Sequence, residues 1–388
     1  MRRKNNTRSS RPVVAIVQKN LAHYRVPFYE HLRPRLHADG VDLRFLYGLP
    51  TNARRLRRDT TTLPWAEPIR TIPIRVREHT LYWQSVGTHL RGVDLVVVEQ
   101  ASKLLLNYVL LARQALGGPR VAFWGHGRNL KAHEASGLGE ALKAFTSTRV
   151  HWWFAYNAMS QRIVERLGFP PERITSVQNA IDTRRLSEHY RSLSPTDVDR
   201  VRRTLQLQGT NVGLFIGSMY PEKRLDFLVD ACRQIRTKIP DFEMLWIGAG
   251  PDEGLVRDAC AQHPWMRFVG PKFGLDRVPY FKLAKVLLMP GLVGLTILDA
   301  FSLETPLVTT AIPYHSPEID YLIPNQNGVI VSPTDDPARY ATAVARLLRD
   351  DERRQRLIDG GRAAAECYTV EEMADRFAEG VQRALGAR

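Results

Sequence analysis

The sequence predicts an α/β protein built from two doubly wound domains, each around a parallel sheet. Three observations carry that expectation. Short apolar, β-branched runs alternate with amphipathic stretches through the first half of the chain. The same alternation starts afresh near residue 211. With 388 residues the chain also exceeds what one hydrophobic core usually serves. Strands that read as continuous apolar runs between helices are buried on both faces, which is the condition of a parallel sheet.

In the first array, residues 13–17 read as a strand and 26–36 as a helix with apolar residues at helical spacing. Further strands are expected at 43–47, 95–98 and 120–124, with a helix at 104–116. The second array opens with NVGLFIG at 211–217, a buried-strand pattern ending in a turn. Helices follow at 226–238, 254–262, 278–284 and 296–302, alternating with strands at 242–247, 266–269, 286–289 and 307–310. The tail, 370–385, is a good helix with Thr369 placed to cap it. The implied layout is a basic disordered N-terminus (1–12), a first domain (13–190), a second (191–368) and a final helix (369–388), with the junction near 185–210. The Arg-rich segment 51–62 follows neither period and reads as a mobile loop.

Composition narrows the class. An apolar fraction of 44% and a charged fraction of 24% are those of a soluble globular protein. The longest apolar runs, at 93–98 and 286–290, fall short of the ~20 residues needed to span a bilayer. The basic, polar start leads into a strand-length apolar stretch and does not read as a secretory signal. Cys232, Cys260 and Cys367 lie far apart and match no metal spacing, so structural thiols in a reduced, cytoplasmic setting and no metal are expected. The net charge of +15 is uneven. Residues 1–190 hold 30 Lys and Arg against 14 Asp and Glu; the rest hold 25 against 26. The excess gathers at Arg33, Arg35 and the run ARRLRR at 53–58. Such a face attracts anionic lipid or phosphorylated molecules. No helix-turn-helix, zinc or base-stacking motif points to nucleic acid.

Ligands of doubly wound sheets bind beyond the carboxyl ends of the strands, so the loops there hold the candidates. GSMYPEKRLDFL (217–228) leaves a strand and enters a helix, offering free N–H groups to an anion from Gly217 and Ser218 onward. Lys223 and Arg224 add cations at a helix start, where a positive charge is unfavourable unless an anion joins it. MPGLVGLTILDA (289–300) places Gly291 and Gly294 where backbone can approach a ligand, with Leu295 and Thr296 at the next helix start and Asp299 one turn in. A strand–Gly–helix crossing is common in any α/β sheet, so this pattern alone is unspecific. FWGHGRN (123–129) sets His126 between two glycines straight after a strand. QKNLAHYRVPF (18–28) gathers Lys19, Asn20, His23, Tyr24 and Arg25 after the first strand, where the aromatic residues could equally pack the helix start.

In order and content these segments resemble family 4 (group 1) retaining glycosyltransferases of the GT-B fold, two Rossmann-like domains facing across a cleft. The resemblance runs from HYRVPFYE at 23–30 through VQNAID at 177–182, GSMYPEKRLDFL, WIGAGPD, FVGPK at 268–272 and PGLVGLTILDAFSLETPLVTT to PEIDYL…NG at 317–328. No single motif is specific; their order is. It implies that the first domain binds the acceptor, the second binds a nucleotide-diphospho-sugar, and the final helix crosses back to the first. Lys223 matches the lysine that binds the donor diphosphate, and Gly294, Leu295 and Thr296 match the phosphate cradle. Asp299 matches the second carboxylate of the family's glutamate pair, which holds the ribose. Gly270, Pro271 and Lys272 look like the base-binding loop, and His126 is similar to the acceptor-side histidine. The family's first glutamate falls at Gly291 and the arginine that usually precedes the lysine falls at Ser218, with Arg224 available to replace its charge.

The resulting expectation is a metal-independent, retaining sugar transfer without a cofactor. Lys223 and His126 are the catalytic candidates, and the acceptor is an anionic, lipid-linked or polysaccharide precursor at the inner face of the cytoplasmic membrane. Two alternatives stay open. A nucleotide-sugar 2-epimerase shares the fold but needs grouped acids for proton chemistry, and a non-catalytic nucleotide-sugar-binding protein needs neither.

Overall fold

The computed structural model describes residues 11–49, 61–77, 79–127 and 145–387. The first ten residues, the ARRLRR run, Arg128 and Asn129 lie outside them. The chain divides into two compact units, one of Met1–Gln178 with Met373–Arg388 and one of Asn179–Glu372.

In the first unit the strands are β1 Val13–Gln18, β2 Asp42–Gly48, β3 Glu67–Ile69, β4 Thr71–Val76, β5 His79–Gln84, β6 Leu95–Glu99, β7 Arg120–Gly125, β8 Trp152–Ala155 and β9 Ile174–Ser176. Seven form a parallel sheet in the order β3-β2-β1-β6-β7-β8-β9, and β4 and β5 pair as a separate antiparallel hairpin. The register sets Val14 opposite both Leu43 and Leu95, so the apolar VVAIV run lies in the middle of the sheet. Val14, Ala15, Ile16 and Val17 are accordingly buried. The chain builds outward from β1 through β2 and β3, then returns to the other side of β1 at β6. That reversal opens a crevice flanked by the loops after β1 and β6.

The second unit repeats the plan with β10 Asn211–Ile216, β11 Phe242–Ile247, β12 Met266–Phe268, β13 Val286–Leu288, β14 Leu307–Thr310 and β15 Gly328–Val331. Their order is β12-β11-β10-β13-β14-β15, all parallel, so the reversal falls between β10 and β13. The helix Leu225–Lys238 follows β10 and buries Leu225, Leu228, Val229, Cys232 and Ile235, the spacing of one helical face turned to the sheet. Glu243 on β11 is buried as well: its Oε1 accepts the N–H groups of Gln208 at 2.7 Å and Gly209 at 2.6 Å, and among the described residues its Oε2 has only the Arg267 guanidinium, at 4.0 Å, as a charged neighbour.

The final helix, Val370–Gly386, is capped by Thr369, whose Oγ1 accepts the Glu372 N–H at 3.2 Å. From Met373 onward it belongs to the first unit. Phe377 stacks on Phe154 with centroids 4.1 Å apart and meets Phe28 and Trp124 edge-on.

Two differences from the sequence expectation stand out. The division falls at Gln178/Asn179, inside VQNAID, rather than near 190. The segment expected as a junction folds into the helices Thr183–Ser192 and Pro195–Thr204, which pack on Val278–Leu283 in the second unit. Strands β3, β8, β9 and β15 and the β4–β5 hairpin escaped the reading because most are only three or four residues long.

Candidate functional site

The reversal between β10 and β13 brings together the two segments that the sequence singled out in the second half. After β10, residues Pro221–Lys223 form a single 3₁₀ turn, and Arg224 adopts a left-handed conformation (φ 56°) before the helix begins at Leu225. Lys223 therefore precedes the helix instead of lying exposed on its first turn. It is 6% exposed, its ammonium donates to the Leu292 carbonyl, and it lies 5.5 Å from the Tyr220 ring centroid. Arg224 takes a different direction: its guanidinium donates to the Thr334 carbonyl at 2.6 Å and lies 4.4 Å from the Phe227 ring. The expected replacement of charge beside Lys223 thus meets a side chain already engaged elsewhere. Gly217 donates its N–H to Ile247 at 3.0 Å, and Ser218 is exposed at the turn.

Gly291 explains the missing family glutamate in steric terms. A Cβ there would overlap the Glu222 carbonyl and the Lys223 backbone. The two loops touch through their main chains, and the Leu292 N–H donates to the Glu222 carbonyl at 2.8 Å. No side chain fits at this position without forcing the loops apart. Beyond it, no backbone carbonyl among the described residues accepts from the N–H groups of Leu295 or Thr296, which open the short helix Thr296–Ser302. These are the free donors that an anion would meet.

Asp299, on that helix, is buried, and its Oδ1 accepts from Arg277 Nη2 at 2.7 Å and Nε at 3.2 Å. Burial pushes its carboxyl up from the ordinary value, and the guanidinium pulls it back down. Among the described residues Oδ2 has no hydrogen-bond partner, so that oxygen is left to accept. Arg277 lies in the loop after β12 and also donates to the Gly274 carbonyl at 3.0 Å. The same loop holds Gly270, whose carbonyl accepts the Gly248 N–H at 3.2 Å, exposed Pro271, and Lys272, 5.8 Å from the Tyr280 ring centroid.

In the first unit the candidates separate. His126 follows β7, half-buried, with its ring edge-on to Tyr156 at 4.3 Å. Its neighbour Gly127 sits at φ +82°, where a Cβ would press on Ile163 and Val164. The Gln100 side chain clamps that peptide, accepting the Gly127 N–H at 3.1 Å and donating to its carbonyl at 3.2 Å. Arg25, expected as an exposed donor, is buried: its guanidinium lies 5.2 Å from Trp124 and 5.8 Å from Tyr156, and donates to Met373 Sδ at 3.7 Å. Lys19 lays its ammonium 3.2 Å from the Tyr82 ring centroid. His23 and Tyr24 are exposed, and Asn20 is half-buried. Tyr156 thus joins Arg25 to His126, and the Tyr24 ring also lies 5.2 Å from the Arg25 guanidinium.

The sequence reading missed Arg277, His315, Gln100 and Tyr156. All four lie beyond the carboxyl ends of parallel strands, so the loop rule that found the others also covers them.

Residues 210–350 match the family model described as "Glycosyl transferases group 1". A D-inositol 3-phosphate glycosyltransferase of Salinispora tropica is 25% identical over 238 residues, which is 56% of this chain and 48% of that protein. A phosphatidyl-myo-inositol mannosyltransferase of Mycobacterium leprae is 26% identical over 165 residues, 40% of this chain and 42% of that one. The chain spans about half the length of the curated relatives it matches. Among solved structures, Anabaena HepE in complex with UDP superposes with a TM-score of 0.71 at 14% identity, covering 96% of this chain and 99% of that one. The same protein is also known in complex with UDP-glucose, at a TM-score of 0.70. At such identity the structural likeness speaks to the fold. The chain therefore carries the GT-B fold, and its residues 210–350 are similar to the group 1 glycosyl transferases.

Proposed function

We propose that this chain moves a sugar from a nucleotide-diphospho-sugar to an acceptor hydroxyl, retaining the anomeric configuration. One observation carries the reading: the buried Lys223 ammonium and the open N–H groups of Leu295 and Thr296 belong to adjoining loops at one switch point. A cation beside helix-start amides suits a diphosphate. In the proposed reaction the bond between the anomeric carbon and a diphosphate oxygen breaks, and the electron pair leaves with the diphosphate. The acceptor oxygen bonds to the same face, and its proton passes to a diphosphate oxygen. Lys223 and the amides stabilise the charge that develops on the leaving group, a task that needs no metal. Asp299 Oδ2 accepts from a ribose hydroxyl, the Gly270–Lys272 loop takes the base, and His126 orients the acceptor.

The first unit is assigned to the acceptor, which we take to be anionic and either lipid-linked or a surface-polysaccharide precursor. Support comes from the basic excess in residues 1–190 and from two relatives whose names specify phosphorylated inositol acceptors. No helix among the described residues is long and apolar enough to cross a membrane. Charge-driven association with the inner membrane surface from the cytoplasm fits this reading and would weaken as salt rises.

A melting screen against UDP-, GDP- and ADP-sugars tests the donor. A ligand at a hundredfold excess over its Kd adds about 2.7 kcal/mol of apparent stability. The donor so identified is then incubated with inositol phosphate, with anionic glycolipid, or alone. Sugar transfer to an anionic acceptor is expected. Interconversion of the donor alone would mark an epimerase, and a melting shift without turnover a binding protein.

A further inference from the structure

Leu292 and Val293, in the loop between β13 and the helix Thr296–Ser302, each have both main-chain polar groups tied. Leu292 donates its N–H to the Glu222 carbonyl at 2.8 Å and accepts from the Lys223 ammonium. Val293 donates its N–H to His315 Nδ1 at 3.1 Å, and its carbonyl accepts the Ser316 N–H at 3.0 Å. The loop after β10 therefore grips Leu292, and the loop after β14 grips Val293. His315 is 7% exposed, and its Nε2 lies 2.8 Å from the Thr310 carbonyl.

These partners fix the state of the ring. A peptide N–H only donates and a carbonyl only accepts, so Nδ1 must be bare and Nε2 must carry the hydrogen. Burial, aided by the nearby Lys223 ammonium, holds the imidazole below its ordinary pKa against the opposing pull of the Thr310 carbonyl. Neutral, with its hydrogen on Nε2, is the one form that satisfies both neighbours.

We propose that His315 is a positioning residue of the diphosphate site: its bare Nδ1 fixes the Val293 peptide, and through it the aim of the Leu295 and Thr296 amides and of the carbonyl on which Lys223 rests. The inference rests on the donor reading above. His315 touches no reacting atom; it sets the main chain that does. Main-chain donors hold an anion well only when their geometry is fixed beforehand, and Gly291 and Gly294 on either side leave this loop little stiffness of its own.

The test is calorimetric titration of UDP, GDP and ADP into the full chain and into His315→Asn, His315→Gln and His315→Ala. The asparagine side chain carries its Oδ1 where Nδ1 stood and restores an acceptor for Val293. The glutamine amide reaches towards Thr310 instead. The asparagine and glutamine variants each give up one buried hydrogen bond and the alanine variant both, so comparable losses of melting temperature are expected from the first two and a larger one from alanine. Affinity should split them: about tenfold weaker binding in the alanine and glutamine variants, and recovery of most of that loss in the asparagine variant. Unchanged affinity in a folded alanine variant would overturn the role of His315 while leaving the donor reading intact. Affinities that follow melting temperature across the three variants would reduce His315 to a structural residue. If the alanine variant does not fold, the asparagine and glutamine variants decide alone. Failure of the unmodified chain to bind all three nucleotides would remove the donor reading, and this inference with it.

Discussion

The two units put their chemistry in the same topological place and furnish it with different materials. At the edge of the first sheet the cations lie on aromatic rings, Lys19 on Tyr82 and Arg25 between Trp124 and Tyr156. At the edge of the second, Lys223 donates to a carbonyl as well as lying 5.5 Å from the Tyr220 ring, and three loops are joined mainly through main-chain groups and one imidazole. The contrast teaches what each edge can recognise. Peptide N–H groups held in fixed directions bind compact anions and stabilise growing charge. Aromatic walls offer broad apolar faces with few directional demands and suit a larger, more variable molecule. On the proposed function, one fold offers a rigid edge for what every donor shares and an adaptable one for what differs between acceptors.

The sharpest way to break this contrast is to unpair Asp299. Arg277→Met leaves a buried carboxylate without its cation, which should cost about 3 kcal/mol in urea unfolding at neutral pH. The sign of the pH dependence follows. Burial already raises the Asp299 pKa, and loss of Arg277 raises it further. The folded state then prefers the protonated acid, so the deficit is full above that raised pKa and fades as pH falls towards the unfolded value. A deficit that grows on acidification would show that Asp299 is not the carboxylate concerned.

Next in size is Lys223→Ala, expected to lower turnover about 10²-fold, or roughly 2.7 kcal/mol of barrier, with the fold preserved. Arg25→Lys in the first unit should leave donor affinity unchanged. Equal losses of donor affinity from both variants would erase the division of labour. Gly291→Glu sharpens the steric claim. Restoring the family's acidic residue should not rescue activity; it should lower stability by about 1–3 kcal/mol and weaken nucleotide binding, because the side chain must push apart backbones that already touch. A gain in turnover would contradict that account.

The smallest effect is expected from pH. His315 has a lowered pKa in the folded chain, so between that value and its ordinary 6.5 the unfolded state binds more protons. Its contribution to stability is complete above the unfolded value and is lost as pH falls through the folded one. Melting curves from neutral to acid pH should show this loss in the unmodified chain and lack it in His315→Asn.

Much of this was legible in the sequence. The strands that alternate with helices in the second array read directly, because runs such as FEMLWI at Phe242–Ile247 leave no polar face for another structure. Lys223 could be singled out by the strand–turn–helix rule, whereas the Gly291–Thr296 loop also needed the family resemblance, because a strand–Gly–helix crossing is common in any α/β sheet. The junction was not: Thr183–Ser192 buries only Thr183 and Leu186, too little for helical periodicity to register. Nor was the division of roles between Lys223 and Arg224, adjacent cations whose directions differ because Arg224 turns through a left-handed conformation. His315 was invisible for another reason. Its partner Val293 lies 22 residues away, and a contact between two loops leaves no periodic trace.

The most direct test of the central claim is amide hydrogen exchange on the full chain, with and without whichever of UDP, GDP or ADP raises its melting temperature. The account predicts new protection confined to the segments around Lys223, Gly270–Lys272 and Gly294–Asp299, weakened or lost in Lys223→Ala. Protection in the first unit alone, or the same pattern in that variant, would contradict it.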